Sequence, residues 1–302
     1  MKKLFFIASA LLVGFYACKK DDTTPTTPPA GPNLVFKFKF DSTQVRLDSH
    51  GQVVSVLPAG HSGQCPKFNL ISTHYIELSP NIYTLVGSGK VLYKAAETTA
   101  GGTSAIDFSK SVNVAEGQTC LTVPLSSITP GTYPYLRVSL AYQNYDIKYR
   151  ENLSGTDYNL TGTLASFIGF DTYITSYKIK DSTITVNGNR LQGYWGFETS
   201  VNILGTNYKW AGTGQTPPGA TTVPNPLFAT SPIQQGSCLV TGAFVTPLTI
   251  TGNETKDIVV TMSVSTNKSF EWKDANMNGV YEPLAGDTVV DMGIRGLIPS
   301  YQ

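Results

Sequence analysis

Charge is scarce in this chain. Only 14% of its 302 residues are Asp, Glu, Lys or Arg, and 22 basic against 21 acidic side chains leave no basic face to hold nucleic acid. Cysteine is rarer still. Beyond Cys18 there are only Cys65, Cys120 and Cys238, with no C-x-x-C pair, which argues against a structural zinc site. In an oxidising compartment these could form one disulfide and leave one thiol, or serve as small buried hydrophobes; their spacing does not choose among the pairings. Long helical patterns are missing. So are H-E-x-x-H, the G-x-S-x-G elbow, the phosphate loop and the dinucleotide fingerprint. Gly87-Ser88-Gly89-Lys90 lacks the upstream glycine and the following Ser or Thr of a phosphate loop and reads as a turn. Ser265 and Lys268 match S-x-x-K only formally, because they sit at a strand end and not one helical turn apart. His50, His61, His74 and Cys65 show no tight metal-ligand spacing, and the carboxylates are too scattered to name a glycosidase pair.

What is present begins at the N-terminus. Lys2 and Lys3 precede an apolar run from Leu4 to Phe15, followed by Tyr16, Ala17 and Cys18. The run is shorter than the roughly 20 apolar residues a membrane span needs, so residues 1–17 read as a secretory signal peptide. Ala17 followed by Cys18 resembles the lipobox of bacterial lipoproteins, with Phe15 where that pattern prefers Leu. Lys19, Lys20, Asp21 and Asp22 then resemble the export run of Bacteroidota-type surface lipoproteins. The resemblance covers only this leader. It implies an acylated Cys18, a lipid anchor in the outer membrane and a body facing the cell exterior. Residues 18–33 carry that cysteine and a Thr/Pro-rich tether, TTPTTPPAGPN, whose composition favours extended chain and cannot bury a core.

The remaining chain is rich in Thr, Ser, Gly, Tyr and Phe, a usage that suits pleated surfaces and turns. LVFKFKFD places Phe36, Phe38 and Phe40 on one face of a half-buried strand. Further strands are expected at 68–78, 90–95, 118–125, 135–149, 170–180, 182–201, 237–250 and 256–265. Within 135–149, Leu136, Val138, Leu140 and Tyr142 share the face predicted to be core. Asn187-Gly188 is a hairpin signal, 150–162 reads as a long loop or a domain boundary, and Pro/Gly-rich 212–236 is expected to leave the sheet. Strands at this density without crossover helices predict an all-β protein, an antiparallel β-sandwich or barrel-like body. It would form one large domain or two smaller ones, over 34–150 and 151–302.

Two stretches are candidate sites. Tyr194, Trp195 and Phe197 in GYWGFE, and Tyr208 and Trp210 in NYKWAG, could stack on the apolar faces of sugars, although such rings in β proteins also serve as core or cross-strand pairs. KDANMNGVYEPLAGD, starting at Lys273, supplies Asp274, Asn276, Asn278, Gly279, the Val280 carbonyl and Glu282 at the spacing of a calcium loop. Its front half resembles the loops of EF-hands, dockerins and thrombospondin-type calcium repeats. The twelfth position is Ala285, with Asp287 two residues later as a substitute, and the flanks SFEWK and TVVDMG look extended. A hairpin turn whose polar side chains bond their own backbone fits the same residues. The sequence thus predicts a non-enzymatic surface lipoprotein that binds an extracellular ligand, with a polysaccharide or a surface protein as candidate partners and calcium as candidate cofactor. It could equally serve as an accessory subunit of a surface assembly. A hydrolase with a dispersed active site and a structural envelope protein are the alternatives.

Overall fold

The alternating Phe and Lys residues near the start of the body form the strand they predict, with Leu34, Phe36 and Phe38 buried and Lys39 exposed. The computed structural model describes residues 31–48, 50–54, 56–203, 205–216 and 236–302. The expected signal peptide, Cys18 and most of the expected tether lie outside the described residues. Among those described, no helix is long and apolar enough to cross a membrane.

The described residues form eighteen strands joined by turns and short 3-10 segments. The first nine are β1 (Asn33–Asp41), β2 (His61–Gln64), β3 (Lys67–Ser79), β4 (Lys90–Lys94), β5 (Glu97–Thr98), β6 (Ala105–Asp107), β7 (Thr119–Pro124), β8 (Gly131–Leu153) and β9 (Thr156–Phe167). The second nine are β10 (Asp171–Lys178), β11 (Thr183–Leu191), β12 (Tyr194–Ile203), β13 (Thr206–Gln215), β14 (Cys238–Ile250), β15 (Ile258–Ser265), β16 (Phe270–Lys273), β17 (Thr288–Asp291) and β18 (Leu297–Tyr301). The protein is all-β, with several antiparallel sheets of which one curls into a half-barrel. Among the described residues two ladders are parallel, β1 with β15 and β6 with β10.

The 23 residues of β8 are the spine of the largest sheet. β3 pairs along one edge of β8, while β14 takes Gly131–Leu140 and β9 takes Tyr142–Leu153 on the other. β12 and β13 continue the sheet outward from β9. A second sheet, β18-β15-β1-β7, shares the main core with one face: Phe36, Phe38 and Met262 belong to one cluster with Leu78, Val138 and Leu140. A third sheet, β11-β10-β6-β5, supplies Ile174 and Tyr177 to a second cluster with Tyr142, Phe167 and Tyr194. A small sheet, β17-β16-β2, completes the body.

A β-bulge makes β8 serve both cores. Thr73 pairs with Leu140 and Ser72 with Tyr142, so Ala141 is an extra residue, and its carbonyl accepts from the N–H groups of both Ile168 and Gly169. One extra residue reverses which side chains face which way. Leu136, Val138 and Leu140 therefore lie in the main core as expected, Tyr142 passes to the second core, and Tyr145 and Ile147 return to the first.

Several expectations are corrected by register. Asn187-Gly188 is not a turn: β11 runs through it, and the positive φ of Asn187 (50°) is absorbed where the β10–β11 register shifts between Ile174 and Ser176. The chain turns instead at Gln192-Gly193, where Gly193 has φ of 86°, and passes from one sheet to another. Residues 150–162 are neither a loop nor a break, because they extend β8 and β9 around a tight turn at Ser154-Gly155, both left-handed. Residues 212–215 stay in β13, and 217–235 of the predicted loop lie outside the described residues. Cys65 and Cys120 are free thiols, the first exposed and the second half-buried, while Cys238 is buried in the main core.

Arg137, on the face of β8 that alternation would send to solvent, is fully buried. Its guanidinium pairs with Glu77 at 3.1 Å and donates to Thr241 Oγ1 and to the carbonyls of Ile82 and Thr84, while Glu77 Oε1 accepts from the N–H groups of Gly87 and Gly89. One ion pair thus organises the whole 82–89 turn. Removing one partner of such a pair leaves a buried charge uncompensated, so Arg137→Met is expected to lose about 3–5 kcal/mol in urea unfolding. A loss under about 1 kcal/mol would show that the pair does not hold the turn.

Candidate functional site

Alternation along β12 sends Trp195, Phe197, Thr199 and Val201 to one face of the large sheet, and Trp210 stands opposite Thr199 on β13. Three glycines on that face change how the rings sit. A Cβ at Gly214 would come within 2.2 Å of the Trp195 ring, one at Gly212 within 2.6 Å of the Trp210 ring, and one at Gly162 within 2.1 Å of the Phe197 ring. Each ring therefore lies over bare backbone that no other residue type would leave open. Phe197 bridges the group, its centroid 5.5 Å from Tyr149 and 5.8 Å from Trp210.

The opposing wall is made of β16, β17, the connection between them and Met292 just beyond. Phe270, Tyr281, Pro283, Leu284, Asp287, Val289 and Met292 face the aromatic sheet across a cavity of about 670 Å³. Ile147, Tyr149, Glu151 and Leu153 from β8, with Leu160 and Leu164 from β9, line it as well. The wall is docked on β8 at two places, the first being the Met292 carbonyl, which accepts from Gln143 Nε2 and the Tyr145 hydroxyl. Beyond its pairing with β3, the open edge of β8 donates Arg150 N–H to the Tyr281 carbonyl at 2.8 Å, and Arg150 Nε bonds Glu282 Oε1 at 2.7 Å.

The loop inside this connection gathers every side chain that the calcium-like spacing singled out. Asp274 Oδ1 accepts from Asn278 N–H, and its Oδ2 from Gly279 N–H and Ser62 Oγ. Asn276 Nδ2 and Asn278 Nδ2 both donate to Glu282 Oε2, at 2.8 and 2.6 Å, and Val280 N–H donates to Asn278 Oδ1. Asp287 closes the loop by accepting Ala275 N–H on Oδ1 and Glu282 N–H on Oδ2. The flanks β16 and β17 are antiparallel strands. Among the described residues no group of three or more His, Cys, Asp and Glu is placed to hold a metal ion.

The two candidate stretches thus meet at one cavity, which sequence spacing could not reveal. Trp195 and Trp210 line it from the sheet and Asp287 from the loop. Tyr208 shares the face of Trp210 but lies further along the edge strand, exposed and away from the lining. Tyr194 does not join them. It points through the sheet into the second core, 5.8 Å from Phe167, as alternation beside Trp195 requires. Tyr149, Tyr281, Phe270 and Met292 were missed: the first shows in the spacing Ile147, Tyr149, Glu151, Leu153, whereas the others are long-range neighbours with no local signature. No protein-family model, curated protein or solved structure matches the chain.

Among the polar residues of the lining, which include Thr199, Gln215, Thr216, Asp287 and Thr288, Glu151 is the carboxylate with an unpaired buried oxygen. Its Oε2 is buried and has no hydrogen-bond partner, and burial, followed by the nearby charge of Glu282, raises its carboxyl above the usual range. Glu282 moves the other way, to about 2, because Arg150, Asn276 and Asn278 all bond its charged form. A depressed carboxyl favours the docked loop fully above its ordinary value of 4.5 and loses that contribution as pH falls toward about 2. Carbon NMR of the Glu282 carboxyl is expected to titrate near the lower end of that window, and Arg150→Leu to move the midpoint up toward 4.5. A wild-type midpoint above about 4 would show that the docking bond is not formed in solution.

Proposed function

We propose that this chain is a non-enzymatic outer-membrane lipoprotein, anchored through Cys18 and facing the exterior, whose β body receives an extracellular ligand in the aromatic cavity. The cavity is the observation that carries the reading. At about 670 Å³ it falls within the roughly 300–1,000 Å³ range of small-molecule sites, and it has their character, apolar walls with a few placed polar groups. The leader supports the location, since a lipobox-like cysteine and a charged export run precede the tether.

A binding role suits the acids better than hydrolysis does. Glu151 and Asp287 are the carboxylates of the lining, but both Asp287 oxygens already hold loop N–H groups. One carboxylate with an oxygen to spare serves a ligand contact, whereas glycoside hydrolysis needs a working pair. Calcium belongs to the proposal as an occupant of the loop, held by Asp274, Asn276, Asn278, Glu282 and the Val280 carbonyl; the support is the convergence of those side chains in a loop that forms the cavity wall. A glycan is the second reading, favoured by Tyr208 and Trp210, which are 56% and 55% exposed on one face of the edge strand.

One titration addresses these points together. The unacylated Cys18→Ser chain, mixed with the neutral apolar dye N-phenylnaphthylamine, is expected to show a single saturable rise in dye fluorescence. Trp210→Ala should weaken it roughly tenfold. About 1 mM calcium should tighten the wild-type site and leave Asp274→Ala unchanged. Absence of saturable binding would overturn the cavity reading, and an equal calcium response in both chains would move the cation elsewhere. A polysaccharide that binds without displacing the dye, and is lost in Tyr208→Ala, would favour the strand edge instead.

A further inference from the structure

The cavity has a charge preference built into it. Its lining includes Glu151 and Asp287 and no Lys, Arg or His. Both Asp287 oxygens already accept loop N–H groups, and Glu282, just outside, is taken up by Arg150 and two asparagine amides. Glu151 alone keeps a buried oxygen without a partner. Its neighbour in sequence, Arg150, is committed to Glu282 at 2.7 Å and does not line the cavity. A carboxylate oxygen buried without a donor and near a second acid is costly to hold charged, and a cation placed beside it offsets that cost.

The rings add to the same field. Tyr149, Trp195, Phe197, Trp210 and Tyr281 all present π-systems to the space, and aromatic faces attract ammonium groups. The mouth is apolar as well: Leu153, Trp210 and Leu284 line the cavity and are at once exposed, Leu284 by 77%. Exposed apolar side chains around an apolar cavity mark where the greasy part of a ligand passes in from solvent or from a surface.

Resting on the reading of the cavity as a ligand site, we infer that its ligand is a cationic amphiphile, an apolar chain or ring system lying on the glycine-seated rings with its amine or quaternary ammonium group at Glu151. Anionic amphiphiles of the same length are disfavoured, because their carboxylate would meet Glu151 with no basic side chain in the lining to compensate. Burial already raises the Glu151 carboxyl, the direction a site awaiting a cation would show. Tyr149, Tyr281 and Glu282 interact electrostatically with it and carry no positive charge, and the adjacent base, Arg150, is bound to Glu282.

The test is a matched series displacing N-phenylnaphthylamine from the unacylated Cys18→Ser chain: a decyl amine, decyl trimethylammonium, decanol and decanoate, each below its micelle threshold. The amine and the ammonium should displace the dye at roughly tenfold lower concentration than decanol, and decanoate should be weakest. Glu151→Gln, which keeps size and shape, should bring the cations to the level of decanol and leave decanol unchanged. Near-UV circular dichroism of the variant checks that the ring packing is intact; for a variant that failed this check, the wild-type ranking alone decides. Equal displacement by cation and alcohol, a preference for decanoate, or a cation preference that survives in folded Glu151→Gln would overturn the inference while leaving the cavity reading standing. Failure of every member of the series to displace bound dye would overturn both, and failure of the dye itself to bind would strike the underlying reading first.

Discussion

Contact between an aromatic ring and bare backbone is the constraint on which the site depends. Side chains on a strand normally stand away from the sheet, and two tryptophans and a phenylalanine standing up from β12 and β13 would fill the space now open above them. At Gly162, Gly212 and Gly214 there is no Cβ to hold them off, and the rings lie down. Glycine inside a strand costs roughly 0.5–1 kcal/mol relative to alanine. A sheet selected only for stability would not carry three of them on one face beneath its largest side chains. The glycines instead exchange strand stability for a wide, flat, apolar surface.

The opposing wall depends on a different device, the open edge of β8. Where β3 ends, the edge would present unpaired backbone groups, and it is covered on one stretch by the Gln64 side chain, which bonds both the N–H and the carbonyl of Lys148. One pair further on, Arg150 takes over, with its N–H on Tyr281 and its guanidinium on Glu282. The segment that looks like a calcium loop is thus a wall segment first. Its polar side chains shape the turn that holds Tyr281, Pro283 and Leu284 over the rings, and a cation bound there would act on the cavity through the same residues. Cavity wall and loop are one structure.

Much of the fold was legible because alternation is a local property. The Phe/Lys run of β1, the long strands at 68–78 and 135–149, and the extended flanks of the loop all follow from period-two spacing. Parity alone also separates Tyr194 from Trp195, since neighbours on a strand cannot face the same way. What could not be read was whatever depends on a partner strand. The extra residue at Ala141, which hands Tyr142 to a second core, exists only relative to the register of β3. Asn187-Gly188 has the chemistry of a turn, yet β10 holds it in a strand. Gly212 and Gly214 have the chemistry of loop residues, yet each lies in β13 beneath a tryptophan ring. Phe270 and Met292 enter the cavity from far along the chain, through pairings that no short motif encodes.

The three tryptophans offer a direct test of the cavity as the binding site. Trp195 and Trp210 line it, whereas Trp272 is 1% exposed in the main core behind it and serves as an internal reference. Nitrogen-edited NMR of the indole N–H groups, recorded while an amine-bearing decyl chain is added, resolves the three individually. Binding in the cavity requires the Trp195 and Trp210 signals to shift together along one saturation curve with Trp272 nearly still. Saturable binding that leaves Trp195 and Trp210 unmoved would contradict it.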